Sequence, residues 1–150
     1  RQPSKRGDVF RQAALKALDT LSRNPKGFFL MIEGSNIDKA AHSNNLEEMM
    51  EELLDFDRAA GAVLDWASKH PGTLVVITAD HNTGAFALTG GSREKGEITA
   101  RFGSGSHDGV AVPVYAFGAG SGAFTGIYEN TDIFNKIMNA LKKGADKPVR

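Results

Sequence analysis

The chain has 150 residues, with 18 Lys plus Arg against 18 Asp plus Glu, a formal net charge of zero, and no cysteine. That length supports one domain with a real core. The composition offers no basic surplus for nucleic acid, no apolar run long enough to cross a membrane, and no thiolate, so any metal must sit on His, Asp, Glu or carbonyl oxygen.

Arg1-Gln-Pro-Ser-Lys-Arg-Gly7 is a polar lead-in without an initiator Met. Arg1 reads as a cut end, and residues 1–7 and 145–150 are expected to be flexible flanks of a single unit spanning 1–150. Val9, Phe10, Ala13, Ala14, Leu18 and Leu21 recur at helical spacing, with Asp8 as the cap. A breaker cluster, Ser22 to Gly27, follows. Phe28-Phe-Leu-Met-Ile32 is a continuous apolar run, the signature of a strand covered on both faces in a parallel sheet. Leu46 to Ser68 is the strongest helix, with Met49, Met50, Leu53, Phe56, Ala60, Val63, Leu64 and Ala67 on one face. Glu47, Glu48, Glu51, Glu52 and Asp55 are expected on the opposite, solvated face. His70 before Pro71 reads as a cation at the helix end. Thr73 to Thr78 is a second buried strand, so strand, helix and strand make a βαβ unit.

Ala85 to Thr89 reads as a short strand and Gly90 to Ser106 as a Gly/Ser-rich excursion loop. Val110 to Phe117 is a third apolar strand, with Pro113 placing it at an edge or bulge. Thr131 or Asp132 caps a last helix, with Ile133, Phe134, Ile137, Met138 and Leu141 on one face and Gly144 as its stop. The order predicts an α/β layer fold with one sheet, Phe28–Ile32 and Thr73–Thr78 lying parallel in it.

Three of the four histidines fall in three clusters: Glu33 to His42, Thr78 to His81, and Gly105 to His107. Glu33 follows the first strand and Asp80-His81 the second, while His107 lies on the way to the third. Ligands of open sheets gather beyond such strand ends. Asp38 and His42 are four residues apart, one turn of a helix, and suit a single ion. Imidazole plus carboxylate is the donor set of open zinc sites. Singly, each feature has a blander reading. Asp-x-x-x-His is as a rule a surface salt bridge, Asp-His after a strand is commonly structural, and Thr83-Gly84 simply makes a turn. The three clusters together point to a metal site.

Phe28 to His42, Val75 to Gly84 and Ser106 to Ala116 resemble the C-terminal half of bacterial alkaline phosphatases, in the same order, over about Asp8 to Leu141. The resemblance implies a layered α/β/α sheet of which this chain holds an incomplete C-terminal portion. It implies a site with two zinc ions and one magnesium. Asp38, His42 and His107 match ligands of the first zinc, Asp80 and His81 those of the second, and Glu33 a magnesium ligand. It further implies hydrolysis of phosphate monoesters through a phosphoserine, a periplasmic or secreted location, and a homodimer whose mode is left open. The nucleophilic serine belongs to an Asp-Ser-Ala motif that does not occur here, so no catalytic residue is assigned and the chain alone is expected to be inactive. Asn82 stands where the family often has Glu, and Ala85 where it often has Gly. Two rival readings stand beside this one: a metal-binding structural module without catalysis, and a phosphodiesterase or mutase of the same superfamily.

Overall fold

A computed structural model describes residues 3–145; the expected flexibility of 1, 2 and 146–150 lies outside the described residues. The elements in chain order are α1 (Pro3–Arg6), α2 (Val9–Leu21), α3 (Asn36–His42), α4 (Leu46–Ser68), β1 (Leu74–Thr78), β2 (Asn82–Thr83), β3 (Ala87–Ser92), β4 (Glu97–Arg101), β5 (His107–Asp108), β6 (Val114–Gly118), a 3-10 turn (Ser121–Phe124) and α5 (Asp132–Ala145). The class is mixed α/β.

Helix α4 starts and stops for local reasons. The Asn45 side chain accepts from the Glu48 N–H and donates to the Glu48 carboxylate, so each end of the first turn holds the other. At the far end, His70 Nδ1 lies 2.7 Å from the Trp66 carbonyl and its ring stacks on Trp66 at 3.7 Å, the helix-end role read from the sequence. Asp8 precedes α2 but makes no side-chain cap; its carboxylate binds Arg11 instead. Ala14 and Leu18 turn the buried face of α2 inward, and Phe10 meets Phe56 of α4.

Residues 3–6 form a helical turn rather than a loose lead-in. Arg6 binds Glu52 at 2.7 Å and Asp55 at 2.5 Å. Glu52 and Asp55, expected on a solvated face, are only 5% and 1% exposed. Amphipathic spacing identifies a helix but not what covers its polar side, and here α1 covers it. Leu53 and Leu54 are correspondingly exposed.

The strand pairing also differs from expectation. Strand β1 pairs antiparallel with β6, from Leu74 opposite Gly118 to Thr78 opposite Val114. Residues Phe28–Ile32 form no strand and have no ladder partner among the described residues, so the expected parallel pairing with β1 is not formed there. The segment alternates: Phe28, Leu30 and Ile32 are half-buried, while Phe29 and Met31 are 62% and 78% exposed. An apolar run shows that a segment wants cover and carries no register, so it cannot name its neighbour. Pro113 sits just before β6, outside the ladder that its missing N–H would break. The excursion expected as a loop contains the hairpin β3–β4, irregular between Leu88 and Gly90. On α5, Ile133 and Ile137 are half-buried, while Phe134, Met138 and Leu141 are exposed.

The core that positions the site is small. Ala40 and Ala41 of α3 pack on Met49 of α4, ringed by Ile37, Leu46, Phe86 and Phe102.

Candidate metal centre

Helix α3 presses its alanine face into that core, which leaves Asp38 and His42 together on its outer side, one turn apart. The His42 Nδ1 atom lies 2.7 Å from the Gly105 carbonyl oxygen. A carbonyl only accepts, so Nδ1 carries the proton and Nε2 presents its lone pair outward. That lone pair faces Asp38 Oδ2 at 3.4 Å and His107 Nε2 at 3.0 Å. His107 Nε2 is in turn 3.5 Å from Asp38 Oδ1. One ligand atom from each of Asp38, His42 and His107 therefore lies within 4.8 Å of the others. Two ring nitrogens this close share either a proton or a cation. Two imidazoles and a carboxylate, all at least partly exposed, are a donor set that suits zinc with an open fourth position.

The loop after β1 adds an adjoining pair. Asp80 Oδ1 accepts from the backbone N–H of His81, and Asp80 Oδ2 is 3.2 Å from His81 Nε2. The His81 ring stacks on His107 at 3.5 Å. His81 Nδ1 lies 3.2 Å from Thr83 Oγ1, and that hydroxyl donates to Asp38 Oδ1 at 2.7 Å. A hydroxyl has one proton. Thr83 gives it to Asp38, so it accepts from His81 Nδ1–H, which leaves His81 Nε2 as the free donor atom beside Asp80. Thr83 is buried and joins the two candidate ligand groups.

A two-residue bridge sets this arrangement: Asn82 pairs with Asp108, and Thr83 with His107. Gly84 follows at φ +82, and an added Cβ would meet the Phe102 ring at 2.9 Å and the Ala41 carbonyl at 3.2 Å. Only glycine fits there, which lets the loop lie against α3. The Asp108 carboxyl is held below the usual carboxylate range, chiefly by the Asn82 amide, then by the Val110 and Ala85 N–H groups, with burial working the other way.

The structure thus brings Asp38, His42 and His107 together and sets Asp80 and His81 beside them. Glu33, just after Ile32, is exposed and lies outside the three-residue group. Thr83 and Asp108 escaped the sequence reading. Thr83 is two residues from His81, the spacing that puts two side chains on one face of an extended chain, and that was the available signal.

The alkaline phosphatase family model matches residues 4–101, more than half of the chain. The chain belongs to the alkaline phosphatase family. The match includes Glu33, Asp38, His42, Asp80 and His81; His107 lies past its end. Alkaline phosphatase 4 of Bacillus subtilis is 31% identical over 198 residues, covering 87% of this chain and 43% of that protein. The alkaline phosphatase of the Antarctic bacterium TAB5 is 41% identical with a TM-score of 0.84, over 91% of this chain and 42% of its own. A histidine-to-glutamate variant of TAB5 alkaline phosphatase, solved with Mg bound in its M3 site, gives 40% identity and a TM-score of 0.83 over the same shares. The chain therefore has the α/β fold of alkaline phosphatases and spans less than half the length of each of these relatives.

Proposed function

We propose that this chain is the C-terminal, metal-ligand-bearing share of an alkaline phosphatase that hydrolyses phosphate monoesters through a phosphoserine. The observation that carries the reading is the convergence of Asp38, His42 and His107, with the His42 Nε2 lone pair fixed by Gly105. Asp38, His42 and His107 would hold one zinc, Asp80 and His81 would contribute to a second, and Glu33 would contribute to a magnesium. Bound cations of this kind stabilise charge on the attacking and leaving oxygens of an in-line phosphoryl transfer.

The chain's own residues prepare that site before any ion arrives. Gly105 fixes the His42 tautomer, and Thr83 fixes that of His81 while orienting Asp38. The stacked His81 and His107 rings hold the two groups side by side. None of the 150 residues forms an Asp-Ser-Ala motif, so the nucleophile is not among them and the chain alone is inactive. A periplasmic or secreted location and a homodimer belong to the same reading, supported by family resemblance.

The test is turnover of a chromogenic phosphate monoester by the purified chain with zinc and magnesium added. No saturable turnover is expected, because losing a nucleophile removes most of the rate enhancement. Saturable, zinc-dependent turnover would overturn the assignment of the nucleophile outside this sequence.

A further inference from the structure

We propose that Asp108 is a positioning residue for the metal centre: its carboxylate locks the bridge between β2 and β5 and thereby sets His107 against His42 and His81. The proposal rests on the functional reading above and adds to it a residue that ligates nothing.

The need for a lock follows from the local sequence. His107 comes at the end of Gly103-Ser-Gly-Ser106, a stretch with little intrinsic preference for one conformation. Strands β2 and β5 have two residues each, and so short a ladder is weak by itself. Yet the His107 ring must meet His42 Nε2 at 3.0 Å and stack on His81 at 3.5 Å. Metal geometry tolerates errors of only a few tenths of an ångström.

Asp108 supplies the missing constraint. Its Oδ2 accepts from the Asn82 side-chain amide at 3.0 Å and from the Ala85 backbone N–H at 2.8 Å. Its Oδ1 accepts from the same Asn82 amide at 3.1 Å and from the Val110 N–H at 3.1 Å. One carboxylate therefore ties the residue after His81, the turn that follows Thr83, and its own strand end. The turn needs holding, because Ala85 adopts φ +45, a left-handed conformation unusual for a residue with a Cβ. Asp108 is next to His107 in sequence and its side chain lies on the opposite face of the strand, so it orients the ligand without entering the site.

A carboxylate is required because all its partners are donors. An amide at 108 has one acceptor oxygen, so its NH2 would face the N–H of either Ala85 or Val110. Asp108→Asn thus preserves shape and breaks the pattern.

The experiment measures zinc affinity of the whole chain by calorimetry and, with cobalt(II) as probe, the visible absorption that reports ligand geometry. Asp108→Asn is expected to weaken zinc binding about 10–100-fold and to change the cobalt spectrum. Ala59→Gly, in the buried face of α4, is the control for stability loss away from the site and should leave both readouts unchanged. Parent affinity and parent spectrum in Asp108→Asn, whatever its melting temperature, would overturn the proposal. If Asp108→Asn folds poorly, it is combined with Ala85→Gly, which makes the left-handed turn easy. That double variant should fold and still bind zinc weakly; parent affinity in it also overturns the proposal. His42→Ala separates the two levels. If it binds zinc like the parent, the metal-centre reading itself fails. If it binds weakly while Asp108→Asn does not, only the role of Asp108 fails.

Discussion

Thr83 Oγ1 lies 2.7 Å from Asp38 Oδ1 and 3.2 Å from His81 Nδ1, so one buried hydroxyl is bonded to both candidate ligand groups. It orients the carboxylate of one group and sets the tautomer of the other. Groups that hold metal ligands in this way commonly matter nearly as much as the ligands.

Thr83→Val keeps the shape and removes both bonds. It is expected to weaken zinc binding by about tenfold or more, and to leave His81 Nδ1–H without its acceptor. Thr83→Ser should bind close to the parent. Calorimetric titration of the three proteins checks this. Equal affinity in parent and Val variant contradicts the role given to the hydroxyl.

The ion network under α1 gives a stability prediction. Arg6 is raised above its ordinary value, chiefly by its hydrogen bond to Glu52, and it is 20% exposed at the side chain. Arg6→Gln leaves Glu52 and Asp55 buried with Arg58 still reaching Asp55 at 3.1 Å. Removing one partner from a buried pair costs about 3–5 kcal/mol; with Arg58 remaining, about 2–4 kcal/mol is expected here. Urea unfolding checks it, and a loss below about 0.5 kcal/mol, the usual range of a surface substitution, contradicts the burial described.

Gly118 closes β6 at φ +89, and a Cβ there would drive into the backbone carbonyl of Thr73. Gly118→Ala must therefore break the end of the β1–β6 ladder, for a loss of about 2 kcal/mol or more. Gly27, at φ +84, has nothing within reach of a Cβ, so Gly27→Ala should lose only the conformational term of about 1–2 kcal/mol. Thermal denaturation of the pair decides it; equal losses would show that the close approach at Thr73 carries no energy.

What the sequence made legible was local. Helices α2 and α4 were read with the boundaries they have, because their apolar spacing and breakers are written in adjacent residues. The i,i+4 pair Asp38 and His42 was legible for the same reason. The pairing of β1 with β6 was not, since apolar character gives burial without register. The burial of Glu52 and Asp55 was not, because it depends on a cation 46 and 49 residues away. Thr83 reads locally as a turn former, because its importance comes from Asp38, 45 residues distant, and not from its neighbours. The gathering of His107 with the other two clusters was legible from strand-end placement and family resemblance, while its contacts with His42 and Asp38 of α3 are visible only in the structure.

Asp38, His42 and His107 are expected to hold one metal ion. Zinc titration by calorimetry, on the chain and on His42→Ala, tests it most directly. Saturable binding of one zinc by the parent chain is expected, with affinity reduced at least about tenfold in the variant as a ligand is lost. Equal zinc affinity in the two proteins would contradict it.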